Sequence, residues 1–275
     1  MGRILLTIPA HNEEGVLYAS VHRIIDGLRG SGIDYRLAIA EDGSTDRTDV
    51  EISQLQSELP DLIVQHIPTR VGRGLALRTL WAAIDADVYA FVDADLPTDP
   101  SAILDVLHAI EDGADVATGS RYCFGAEVHR PPVRSLTSLA YNALVRFLFH
   151  EPIRDHQCGL KAFRRDAVRA LLPASREDSW AWDTEILLLA LRMRFQVAEV
   201  PIAWTEHRFT RTPMRRLGSD IRLHGTALLR LRSELADRVR AADAADSALR
   251  EVPLPRRPEP PTVRTGYGAP PTPSD

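Results

Sequence analysis

The sequence predicts an α/β fold, a Rossmann-like, mostly parallel sheet flanked by helices. Three observations carry that expectation. Over the first hundred residues, short apolar runs alternate with amphipathic segments at a spacing that suits right-handed βαβ crossovers. The carboxyl ends of these runs collect acidic and polar residues next to tight-turn residues, where open parallel sheets bind their ligands. The apolar run 88–92 leads straight into Asp93-Ala94-Asp95, which places two carboxylates on the rim of the sheet.

Residues 4–8 read as the first strand. Residues 13–29 read as a helix with Val16, Leu17, Val21, Ile24, Ile25 and Leu28 along one stripe, and Asn12 as its N-cap. Strands over 37–40, 62–67 and 88–92 alternate with helices over 48–59 and 74–84. A short strand follows at 116–118. An amphipathic helix over 135–150 presents Leu136, Leu139, Leu144, Phe147 and Leu148. Residues 155–164 form a polar, glycine-containing stretch ending in Ala162-Phe163. Residues 179–191 begin with Trp180 and Trp182 and enter an apolar helix. Residues 197–204 suit an edge strand, because Pro201 cannot donate to a ladder. From 215 to about 240, Leu217, Ile221, Leu228, Leu231 and Leu235 recur at helical spacing opposite a face rich in arginine. The last 26 residues hold 8 of the 19 prolines and almost no large apolar side chain, so disorder is expected there. The implied organisation is a catalytic unit over 1–212, an amphipathic helical extension over 213–249 and a Pro-rich tail over 250–275.

Composition narrows the function. The chain is 44% hydrophobic and 26% charged, as a soluble globular protein is. A net charge of -5 argues against nucleic acid as a partner. Cys123 and Cys158 are too few for a disulfide framework. No run reaches the length of a bilayer span, and the N-terminus lacks a signal-peptide pattern. The expectation is a cytoplasmic protein, soluble or peripheral.

Carboxylates at i and i+2 of a strand end share one side and repel each other unless a cation lies between them. A hard divalent cation bound by one or two carboxylates typically completes its shell with phosphate oxygens. Asp93 and Asp95 are therefore candidate ligands for a divalent cation holding a diphosphate. Pro9-Ala10-His11-Asn12-Glu13-Glu14 and Glu41-Asp42-Gly43-Ser44-Thr45-Asp46 end two further strands on the same rim. Ser44 and Asp46 read as turn and cap residues. In Arg70-Val71-Gly72-Arg73-Gly74 the glycines let backbone N–H groups approach an anion at a helix N-terminus.

Ile8 to Glu14, Glu41 to Thr48 and Asp93-Ala94-Asp95 resemble the family-two glycosyltransferases, and that resemblance implies the A-type glycosyltransferase fold. Gly119-Ser120-Arg121-Tyr122, Asp155 to Phe163 and Trp182 to Leu187 are similar to the polyprenyl-phosphate branch, which includes dolichyl-phosphate mannose synthase and dolichyl-phosphate β-glucosyltransferase. Gln157-Cys158-Gly159 and the nearby tryptophans look more like the glucosyl enzymes. The resemblance spans about residues 4–210 and implies an inverting transfer of a hexose from UDP-glucose or GDP-mannose to a polyprenyl phosphate, with Mg2+ or Mn2+.

It also implies roles. Pro9, Ala10, Asn12 and Glu14 meet base and ribose, and Asp42 accepts a hydrogen bond from the base. Asp93 and Ala94 lie by the ribose or diphosphate, Asp95 binds the metal, and Arg70 and Gly74 support the diphosphate. Arg121 contacts the acceptor phosphate, with Arg134 as a second cation and Arg130 as its rival. Asp183 reaches the sugar and acceptor pocket, and becomes the general base if the acceptor is a hydroxyl. Gln157, Lys161, Trp182 and Glu185 shape the pocket. A membrane surface or a membrane-anchoring protein is the expected partner, on the cytoplasmic face. The alternatives are a soluble family-two enzyme acting on a polysaccharide or natural-product hydroxyl, and an inactive nucleotide-sugar-binding scaffold.

Overall fold

A computed structural model of the chain describes residues 2–179, 181–206, 226 and 228–241. The elements run β1 (Ile4–Ala10), α1 (Leu17–Leu28), β2 (Tyr35–Asp42), α2 (Thr48–Glu58), β3 (Ile63–Ile67), α3 (Arg73–Ala83), β4 (Val88–Val92) and α4 (Ser101–Glu111). They continue with β5 (Val116–Ser120), β6 (Glu127–His129), α5 (Pro132–Phe149), β7 (Leu160–Arg164), α6 (Arg165–Ala174), α7 (Trp182–Arg192), β8 (Val197–Pro201) and β9 (Ala203–Thr205). Residues 228–241 are helical.

Seven strands form one sheet in the order β3-β2-β1-β4-β7-β5-β8, and β6 pairs with β9 in a small second sheet. Only β7 runs antiparallel to its neighbours β4 and β5. Alternation along β1 sorts its side chains to two faces. Ile4, Leu6 and Ile8 join the core beneath α1, α2 and α4, while Leu5 joins the layer containing α3, α6 and α7. Thr7 shares the second face, and its hydroxyl is satisfied there by Trp81 Nε1–H at 3.0 Å. The parallel strands bring Ala10 beside Glu41 and keep β4 in register with β1, so three carboxyl ends share one rim.

Several elements differ from the sequence reading. Helix α1 starts at Leu17, not at residue 13, and Asn12 does not cap it. Asn12 takes a left-handed φ of 57° and accepts Thr45 N–H at 2.8 Å, which ties the β1 loop to the β2 loop. The polar stretch at 155–164 contains β7, a central strand inserted out of chain order. Its Lys161 lies in register with Phe91 of β4. Helices α4 and α6 fall in segments that carried no assignment. The edge strand stops at Pro201, and Ala203–Thr205 crosses to the second sheet. Leu228, Leu231 and Leu235 are buried in the α7 core layer. Trp180, Leu217, Ile221 and the tail lie outside the described residues.

Candidate functional site

The shared rim opens into a cleft of about 620 Å³. Pro9, Ala10, His11 and Glu13 line it from the end of β1, and Asp42 lines it from β2. Arg70 to Gly72 contribute from the loop before α3 and Arg73 from its first position, Asp93 to Asp95 from just beyond β4, and Asp178 and Ser179 from the loop before α7.

Asp42 is buried and organises one wall. Its Oδ1 accepts Val71 N–H at 2.6 Å and its Oδ2 accepts Gly72 N–H at 2.8 Å. Next to it, Gly43 adopts φ +63°, and a Cβ there would strike the backbone of Thr69 and Arg70. The β2 turn and the Arg70 loop are therefore built as a single piece. The Asp42 carbonyl accepts a hydrogen bond from His11 Nδ1 at 2.7 Å, so the proton of this imidazole sits on Nδ1.

Four charges meet on the opposite wall. Arg73 Nη1 donates to Asp93 Oδ1 at 2.7 Å, and its Nη2 pairs with Asp183. The other oxygen of Asp183 accepts from Lys161 Nζ at 3.0 Å. Lys161 is fully buried and spends its remaining donors on the carbonyls of Cys158 at 2.6 Å and His156 at 3.2 Å. Burial pulls its ammonium down to about 8. Both cations lie near the Phe91 ring, at 5.7 Å for Arg73 and 5.6 Å for Lys161. Two carboxylates and two cations make a neutral quartet, the arrangement that a buried charge requires. Gly159 lets it close up, because a Cβ at that position would land on the Asp93 carboxylate.

Arg121, expected at the acceptor phosphate, is not among the residues that line this cleft. Its Nε and Nη2 grip Asp155 at 2.7 and 2.8 Å, and its guanidinium lies 4.7 Å from the Trp204 ring centre. Burial works against the charges on both partners. The pairing outweighs it, holding Arg121 above and Asp155 below their usual ranges. Arg134 pairs with Glu206, and Arg130 lies 3.4 Å from the same carboxylate. Burial lowers the Arg130 pKa, and repulsion from Arg121 and Arg134 lowers it further.

Pro9, Ala10, Asp42, Arg70, Asp93, Ala94 and Asp95 meet in the cleft. Asn12 and Glu14 turn away from it. The Glu14 carboxylate pairs with Arg47, and Glu13 lines the cleft in its place. Gly74 packs outside the lining, where its N–H donates to the Asp178 carbonyl at 2.8 Å and a Cβ would meet Glu177 O. Trp182 is core and offers no sugar platform; it is fully buried against Trp81, Phe91 and Phe163. Glu185 is likewise no pocket residue, since its carboxylate is spent on the loop 175–177 and on Arg238. Gln157 is half-buried behind Asp155, whose Oδ1 accepts its N–H at 3.3 Å. Cys158 packs against Gly119, and burial raises its thiol to about 12, in line with a packing role. The sequence reading passed over Arg73, Asp178 and Ser179. Arg73 had a visible signal, as a cation at the first position of α3 in the glycine loop already noted.

Asp93 and Asp95 offer hard oxygen donors in the cleft, where Asp93 is paired with Arg73. The donor set fits Mg2+ or Mn2+. Glu41, Asp49 and His66 also place ligand atoms within 4.8 Å of one another, but none of the three lines the cleft.

The chain matches the family described as glycosyl transferase family 2 over residues 6–172. It is 34% identical over 240 residues to the glycosyltransferase AglD of Haloferax volcanii, a match covering 86% of this chain and 38% of that protein. It is 30% identical to the dolichyl-phosphate β-glucosyltransferase of Saccharomyces cerevisiae, covering 73% of this chain and 66% of the relative. The chain thus spans less than two thirds of each of these two relatives. It is 31% identical to the polyprenol monophosphomannose synthase of Mycolicibacterium smegmatis, covering 80% of this chain and 83% of that protein. Glucosyl-3-phosphoglycerate synthase of Mycobacterium tuberculosis, solved with Mn2+, UDP-glucose and phosphoglyceric acid, shares the fold. Its TM-score is 0.64 at 22% identity, over 84% of this chain and 79% of that one.

Proposed function

We propose, because the chain belongs to glycosyl transferase family 2, that it moves a hexose from a nucleotide-sugar to a polyprenyl phosphate. The observation that carries this reading is the cleft itself, where Asp93, Asp95 and Arg73 converge at the rim of a mostly parallel sheet. Pro9, Ala10 and Asp42 hold the base and ribose, and the glycine loop with Arg73 meets the diphosphate. A Mg2+ or Mn2+ ion on Asp93 and Asp95 would stabilise the departing nucleoside diphosphate. Direct displacement inverts the anomeric carbon.

The state of Asp183 favours the phosphate acceptor over a hydroxyl one. A hydroxyl needs a base, and Asp183 is fully buried with both oxygens held by cations. An ionised phosphate is already a nucleophile and needs only neutralisation as it approaches a second anion. Arg130 and Arg134 supply that charge, while Arg121 is held by Asp155. Glu206 occupies these arginines as an internal anion. Glu206→Gln is expected to lower the acceptor KM about five-fold at unchanged donor KM, because a competing carboxylate is removed. Initial rates over an acceptor series check this.

The acceptor sits in a bilayer, and α5 presents a matching surface. Val133, Leu136 and Phe147 are 67%, 70% and 74% exposed on one side of that helix, and Phe124 is 98% exposed. An exposed apolar stripe of this kind suits the interfacial layer of a membrane. Among the described residues no helix is long and apolar enough to cross one. The paired variant Leu136→Glu/Phe147→Glu is expected to reduce co-sedimentation with phosphatidylglycerol vesicles about ten-fold, at an unchanged rate on a short, water-soluble polyprenyl phosphate.

Incubation with UDP- and GDP-hexoses plus a polyprenyl phosphate, followed by mass spectrometry of the lipid phase, tests the function. A hexosyl-phospholipid is expected. Transfer only to soluble hydroxyl acceptors would overturn the reading.

A further inference from the structure

The helical segment 228–241 does not line the donor cleft, yet a continuous set of contacts joins the two. Arg238 is 2% exposed and sets its guanidinium against Glu185, while its other nitrogens hold Glu234 one turn earlier. Glu185 is fully buried. It also accepts Ser175 Oγ–H at 2.6 Å and the backbone N–H groups of Arg176 and Glu177, each at 3.0 Å. The charge of this buried carboxylate is balanced by Arg238, the one cation paired with it among the described residues.

The loop fixed in this way runs on into Asp178 and Ser179, the cleft wall opposite the nucleotide rim. Its carbonyls seat the glycine loop. Asp178 O accepts Gly74 N–H, and a Cβ on Gly72 or Gly74 would collide with the Asp178 or Glu177 carbonyl. Asp178 also pairs its carboxylate with Arg78 of α3. The position of the loop that bears Arg70 and Arg73 thus depends on residues 175–179. These depend on Glu185, which in turn depends on Arg238.

We propose that Arg238 is a positioning residue for the nucleotide-sugar: through Glu185 it sets the 175–179 wall and, with it, the loop that receives the diphosphate. The C-terminal helix then belongs to the donor site and is not an appendage to it. The inference rests on the cleft being the donor site.

The test uses full-length Arg238→Met and Arg238→Lys. Titrations with UDP and GDP in Mn2+, steady-state kinetics and hydrogen exchange are read on each. Arg238→Met is expected to weaken nucleoside diphosphate binding and raise the donor KM about ten-fold, the equivalent of one lost contact, with acceptor KM and kcat nearly unchanged. Amides of 175–179 should exchange faster while those of β1 and β4 hold, and Arg238→Lys should recover most of the donor affinity. Unchanged donor affinity in a folded variant overturns the proposal. So does a uniform loss of protection in which kcat and both KM values move together. If Arg238→Met fails to fold, Glu185→Gln/Arg238→Met removes both charges and faces the same criteria. A wild-type protein that binds neither UDP nor GDP would instead overturn the donor-site reading, while faster exchange confined to 175–179 would still stand for the strut.

Discussion

Asp95→Asn is expected to lower kcat about a thousand-fold with little change in thermal stability. A metal ion held by Asp93 and Asp95 would supply several kcal/mol of stabilisation to a leaving diphosphate, and each 1.36 kcal/mol is a factor of ten in rate. Asp95 lines the cleft just beyond the end of β4, and Asn keeps its size and shape there. Rates with saturating donor and metal, beside a melting curve, separate loss of chemistry from loss of fold. A variant that keeps a tenth of the wild-type rate would remove Asp95 from the metal site.

Arg73→Gln is expected to cut kcat/KM for the donor about a hundred-fold, and to do something less obvious as well. The cation that Asp93 shares with Asp183 is lost, and the quartet is left one negative charge in excess. Breaking a buried pair by removing one partner costs about 3 kcal/mol, so the melting temperature should fall by several degrees. Mn2+ should bind the nucleotide-free variant about three-fold more tightly, because Asp93 no longer has an internal competitor. Opposite signs for metal and donor affinity are a signature that general damage to the fold would not produce. Arg73→Lys should restore part of the donor affinity. Calorimetric titration of Mn2+, then of UDP and GDP, reads both signs. Parallel weakening of metal and donor would contradict the bridging role.

The β1, β2 and β4 rim was legible because each strand is a local apolar run that ends in turn chemistry, and a parallel sheet carries such ends to one edge. Asp42, Asp93 and Asp95 meet for that reason. What escaped was set by contacts distant in sequence. Arg121 reads as an acceptor-phosphate contact, and its pairing with Asp155, in another segment, is not visible in the sequence. Glu185 reads as a pocket residue until Arg238, 53 residues on, closes over it. Strand β7 hid because Lys161 interrupts its apolar pattern. The ammonium is tolerated in the core only because Asp183 and two carbonyls meet it there. Trp182 reads as a pocket residue, and three aromatic neighbours from three other elements make it core.

The central claim is that an acidic rim holds an activated sugar through its diphosphate and a cation. Titration of UDP and GDP into the wild-type protein with and without Mn2+ tests it most directly. The account requires at least one of the two to bind at least about ten-fold more tightly with the metal, and Asp95→Asn to abolish that gain. Equal affinity with and without Mn2+, unchanged by Asp95→Asn, would contradict it.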